Sequence, residues 1–308
     1  MRRFRIPAAA ALAAMLTLPG GLIAQSGPSL VQADELRMKV LDGDAPTILW
    51  IGADDAWDAG RIPGARRIGL GDISVSRGEY AEPGSIVLDL PFELARIREA
   101  FEARGVSGDR DVVVAFDSPR RFTQATRVVW TLAVLGMGDR ARLLDGGQPA
   151  WVEAGGDLTT EPPQDADASG GSITRTPAPD RVVDLGWLAR EYRADGLSLI
   201  DARQSASYTG EREEFPGRAG HIPGAGSLPI EMLLDDGGRV LPPASLERLL
   251  REAGVTDDAR VVTYCHIGQR ASAAWFAATL AGFDAAIYDG SMNEWGRTEL
   301  PLTSGTNR

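Results

Sequence analysis

Short apolar runs rich in β-branched and aromatic residues recur along this chain, separated by stretches with a helical period. Thr47–Ile51, Val112–Phe116, Leu197–Ile200 and Val261–Tyr264 are runs of four or five residues of this kind, the mark of a short buried strand. Between them, Val31–Leu41 and Val183–Arg193 read as amphipathic helices. Two more helices are expected to end at Gly105 and Gly254, because glycine tolerates the left-handed conformation of a C-cap. From Ala271 onward, Ala274, Phe276, Ala277 and Leu280 fall at helical spacing. Strands alternating with helices predict an α/β protein with a mostly parallel sheet.

The pattern is written twice. Gly60-Arg61-Ile62-Pro63-Gly64-Ala65 matches Gly220-His221-Ile222-Pro223-Gly224-Ala225 at five of six positions. Asp145-Gly146 with Trp151 answers Asp289-Gly290 with Trp295. Residues 159–180 are rich in Pro, Gly, Ser and Asp without an apolar period, and read as an inter-domain linker. Two domains follow, 33–158 and 181–305. The copies differ at one telling place: aligning their strands sets Asp117 where the second copy has Cys265, the only cysteine of 308 residues.

Cys265 stands where a strand stops, and His266-Ile267-Gly268-Gln269-Arg270 carries the chain into the next helix. Amides in such a turn converge on one point, and the helix dipole adds partial positive charge there. That field favours a nucleophilic thiolate or a bound anion; the bland alternative is a small buried thiol.

Composition narrows the partners. The formal charge is −11, with 44% hydrophobic and 24% charged residues, and no basic cluster follows the first few positions. Nucleic acid is therefore not an expected partner. Two histidines and one cysteine also argue against a Cys/His metal site. At the start, Arg2, Arg3 and Arg5 precede an apolar run from Ala8 to Leu18, with small residues near Ala24. That is the layout of a signal peptide over residues 1–24, and it predicts a periplasmic or secreted protein, free of the membrane once cleaved. An oxidising compartment is a poor place to keep a lone thiol for packing alone, so export strengthens the chemical reading of Cys265.

Two α/β units with G-[HR]-I-P-G-A turns and D-G…W tails, and a C-x-x-G-x-R loop in the second only, resemble tandem rhodanese sulfurtransferases. The resemblance spans roughly residues 33–305. It implies two tandem rhodanese-like domains, each a mostly parallel sheet flanked by helices, the first without a nucleophile and carrying Asp117 in its place. It also implies that Cys265 takes a sulfane sulfur from thiosulfate, or alternatively 3-mercaptopyruvate, and passes it to a thiophilic acceptor such as cyanide or a thiol. No metal or organic cofactor is implied. His266, Ile267, Gly268, Gln269 and Arg270 would surround the substrate.

The chain departs from that pattern in two places. Ile267 replaces the lysine or serine of well-known members, and Ser207 stands where many carry arginine. Cationic contacts are then expected from Arg270, Arg212, Arg218, Arg120 or Arg121. Asp201 and Arg203 read as a structural pair beside the cleft. His221 is expected to make a structural hydrogen bond, and Trp151 and Trp295 to sit in cores or at the domain interface. His266 is expected to point out of the loop, with a base role as the lesser reading. Two rivals remain. Cysteine phosphatases of this fold have a C-x5-R loop, one residue longer than here, and a sulfur-carrier module would need no turnover.

Overall fold

The computed structural model describes residues 27–74, 94–162, 170–215 and 218–306; the expected leader lies outside them. The first unit runs β1 (Ser29–Val31), α1 (Ala33–Leu41), β2 (Thr47–Ile51), α2 (Asp54–Ala59), β3 (Arg66–Arg67), α3 (Leu70–Ile73), α4 (Leu94–Glu102), β4 (Val112–Phe116), α5 (Phe122–Leu132), β5 (Ala141–Leu144) and α6 (Gly147–Glu153). The second repeats it with β6 (Val182–Val183), α7 (Leu185–Glu191), β7 (Leu197–Asp201), α8 (Ser205–Thr209), β8 (Gly226–Ser227), α9 (Pro243–Glu252), β9 (Arg260–Tyr264), α10 (Gln269–Leu280), β10 (Ala285–Tyr288) and α11 (Ser291–Trp295).

Each unit forms a five-stranded sheet in the same order, β1-β5-β4-β2-β3 and β6-β10-β9-β7-β8. Every strand pairing is parallel. Burial on both faces explains why the central strands are continuous apolar runs rather than alternating ones. In register, Ile51 faces Phe116 and Asp201 faces Tyr264, so Asp117 and Cys265 each follow the last residue of the middle strand. Asp117 is a hydrogen-bonded loop residue: its carboxylate accepts from the Ala53 amide (2.8 Å) and the Ser118 hydroxyl (2.9 Å).

Two helices begin later than their periodicity predicts. Val31 and Val183 end short edge strands that pair with β5 and β10, and the helices start at Ala33 and Leu185. The stretch expected to link the domains is also less free than its composition implies. Ile173 is buried, its amide donates to Glu102 (2.7 Å), and the Ala178 amide donates to the Val134 carbonyl. The two hexads make equivalent turns, in which Arg61 bridges Thr159 and His221 bridges Thr303. His221 is fully buried, with Nδ1 2.8 Å from the Tyr208 carbonyl, so its role is structural. Trp151 and Trp295 lie in the cores of their own units.

The units meet along α5 and α10, the helices that follow Asp117 and Cys265. One apolar cluster runs from Phe101 and Val114 through Val128 and Val129 to Ala274, Phe276 and Leu250. Polar contacts flank it. Ser272 Oγ lies 3.0 Å from Thr126 Oγ1, Gln269 donates to Thr123 Oγ1 (2.9 Å), and buried Arg127 pairs with buried Asp289. Asp145, the counterpart of Asp289, accepts from the Val240 amide (2.9 Å). Among the described residues no helix is long and apolar enough to cross a membrane.

Candidate active site

The loop after β9 is shaped by what holds its carbonyls. At the start of α11, the Met292 amide donates to the Cys265 carbonyl (3.0 Å) and the Asn293 amide to the His266 carbonyl (2.8 Å). The Ser291 hydroxyl accepts from the Cys265 amide (3.1 Å) and donates to the Tyr288 carbonyl. On the opposite flank, Arg127 reaches the Gly268 carbonyl (3.4 Å). In a trans peptide the N–H points opposite to the C=O. Tying the carbonyls of 265, 266 and 268 to the body of the protein therefore turns the amides of 266, 267 and 269 the other way. No amide from 266 to 270 donates to a protein acceptor among the described residues. Such a set of free amides at a helix start is a site for negative charge.

Gly268 makes the turn possible. Its φ is +82°, and a Cβ there would fall 2.4 Å from Asp289 Oδ1 and 2.9 Å from Arg127 Nη1. Among the predicted substrate contacts it is the one that does not line the cleft; its place is behind the loop.

The cleft measures about 850 Å³ and lies between the two units. Cys265 belongs to its wall although only 1% exposed, with His266, Ile267, Gln269 and Arg270 around it. The first unit supplies Pro119, Arg120, Phe122 and Thr123, and the strand-poor segment after β8 supplies Ile230, Glu231 and Leu234. The shape is that of an ordinary small-molecule site. Ile267 joins Phe122, Ile230 and Leu234 in an apolar wall, which replaces the charge that lysine would bring.

Three of the five candidate arginines reach the cleft. Arg270 and Arg120 have no side-chain hydrogen bond or ion pair among the described residues, leaving both guanidiniums free for an anion. Arg212 lies over Ser207, donating through Nε to its hydroxyl (3.1 Å). A guanidinium from five residues downstream thus covers the position where arginine was missed. Arg121 turns to Gln124, and Arg218 to the Leu300 carbonyl.

Asp201 and Arg203 are buried and paired, as expected of a structural pair. Arg203 also donates to Glu214 (2.7 Å) and to the Gly220 carbonyl (2.8 Å). Burial works against the Arg203 charge, but Asp201 and then Glu214 hold it firmly protonated. Glu214 is the residue that sequence reasoning missed. It lines the cleft and meets Arg203, Arg212 (3.5 Å) and His266 Nδ1 (3.3 Å). Burial raises its affinity for a proton. The hydrogen bond from His266 and the charge of Arg203 outweigh that, and hold the carboxyl well below the usual carboxylate range. The one available signal was length: the second copy has ten more residues than the first between its strand and its hexad, and Glu214 lies in that insertion. The His266 ring leaves the loop to stack on Phe215 (5.6 Å between centroids), and lines the cleft wall.

The family model for the rhodanese-like domain matches residues 184–298. SseA of Mycobacterium leprae, named as a thiosulfate sulfurtransferase, is 32% identical over 260 residues, 81% of this chain and 82% of its own. A Pseudomonas aeruginosa protein named as a 3-mercaptopyruvate sulfurtransferase is 37% identical over 210 residues, 67% of this chain and 70% of its own. The fold recurs in an anaerobic ergothioneine biosynthesis enzyme from Chlorobium limicola, with a TM-score of 0.72 at 23% identity, covering 90% of this chain and 70% of that one. The chain belongs to the rhodanese sulfurtransferase family.

Proposed function

We propose that Cys265 accepts a sulfane sulfur from thiosulfate and hands it to a thiophilic acceptor, cyanide or a thiol. The observation carrying this reading is a lone thiol in a cleft wall, next to five amides and an Arg270 guanidinium that have no protein partner among the described residues. The Cys265 thiolate attacks the outer sulfur of thiosulfate. A new S–S bond forms, the old one breaks, and sulfite leaves with the electron pair. Loop amides stabilise the charge on the terminal sulfur, and Arg270 with Arg120 attracts the oxyanion. The four residues between Cys265 and Arg270 suit a sulfur atom and crowd a phosphate.

A 3-mercaptopyruvate donor is the second reading, favoured by the name of the Pseudomonas relative. Its carboxylate would use the same arginines. The arginine-led apolar leader supports action in the periplasm or outside the cell. The test is intact-mass analysis after incubation with each donor. A gain of about 32 Da, one sulfur atom, is expected in the native chain and not in Cys265→Ser. Thiosulfate should load faster than 3-mercaptopyruvate. Sulfur uptake by the serine variant contradicts the assignment.

A further inference from the structure

The cleft wall holds a group that persulfide formation does not use. His266 Nδ1 lies 3.3 Å from Glu214 Oε2, and Glu214 is in turn held by Arg203 (2.7 Å), itself locked to Asp201. An ionised carboxylate can only accept, so Nδ1 carries a proton, and in the neutral imidazole the lone pair is then on Nε2. Nε2 has no partner among the described residues, and Phe215 fixes the plane of the ring beside the nucleophile. A carboxylate that orients a histidine whose other nitrogen is free is the arrangement of a general base.

The geometry points to His266 as the base that deprotonates a thiol acceptor, with Glu214 as its positioning residue. This rests on the persulfide reading above. A free cysteine thiol, with a pKa of about 8.5, is mostly protonated at neutral pH and a poor nucleophile until it loses that proton. His266 Nε2 takes the proton, and the acceptor sulfur attacks the outer sulfur of the Cys265 persulfide. The bond between that sulfur and Sγ breaks, and its electron pair stays on Sγ, which the loop amides again stabilise. The products are an acceptor persulfide, the Cys265 thiolate and a protonated His266, whose proton passes to water. No oxidant or reductant enters.

The charged groups around His266 are Glu214, Arg212 and buried Arg203 on its own side, and Cys265, Arg270, Glu231 and Arg120 lining the same cleft. Arg297 lies beyond Phe215.

The experiment compares two acceptors for the loaded enzyme. 2-Mercaptoethanol must lose a proton; sulfite at mildly alkaline pH is already an anionic nucleophile. In His266→Gln, kcat/KM for the thiol should fall by about 10²-fold or more relative to that for sulfite. The deficit should shrink as pH rises toward the thiol's own ionisation. In His266→Gly, added imidazole should restore the thiol reaction selectively. Equal losses for both acceptors, or no imidazole rescue, would overturn the base assignment while leaving the persulfide intact. A native chain that never gains sulfur would overturn both.

Discussion

Replacing Arg127 by methionine tests how far the first unit supports the second. Arg127 and Asp289 have side-chain exposures of 2% and 4%, and they belong to opposite units. Arg127 also lies over Trp130 (4.5 Å) and reaches the Gly268 carbonyl behind the cysteine loop. Methionine fills similar volume but leaves the Asp289 carboxylate without that guanidinium. Removing one partner of a buried pair costs about 3–5 kcal/mol, mostly as the penalty on the charge left behind. With a urea slope of about 3 kcal/mol/M, the unfolding midpoint should drop by about 1 M or more. The double variant Arg127→Met/Asp289→Asn should recover about 1–3 kcal/mol of that loss, since the two side chains are in contact. Arg248→Ala is the control, because its pair with Glu252 (3.0 Å) is exposed and should contribute little. If Arg127→Met moves the midpoint no further than Arg248→Ala, the cross-unit pair is not holding the interface and the reasoning is refuted.

Glu214 makes stability depend on pH with a definite sign. Its folded-state pKa lies below the unfolded value of about 4.3, so its contribution is complete above about pH 5 and drains away as the pH falls. Glu214→Gln should be the less stable protein at neutral pH and lose less than the native chain on acidification toward about pH 3, read from urea midpoints; parallel losses would count against the network. Gly268→Ala should cost about 1–2 kcal/mol from the left-handed backbone alone, with more from the 2.4 Å approach to Asp289. It should also slow sulfur loading in the mass assay, because the loop cannot keep its shape. Unchanged stability and loading would show that the turn relaxes freely.

The doubled α/β plan was readable in the chain because buried parallel strands leave unbroken apolar runs, and because two hexads and two D-G…W tails repeat in order. Cys265 was equally legible: it is the only cysteine, set between a β-branched run and an alanine-rich helix. What the chain hides is anything made by parts far apart in sequence. Edge strands of two or three residues have no period of their own and exist only through β5 and β10. Arg127 looks like one more polar position of a helix until packing brings it against Asp289, 162 residues away. Glu214 belongs to a run of charges that reads as solvated surface, and burial against Arg203 and His266 is what fixes its ionisation. Periodicity reports which face of an element avoids water. Which charges meet across the resulting interface is set by three-dimensional packing, because electrostatic partners are chosen by distance and dielectric rather than by spacing along the chain.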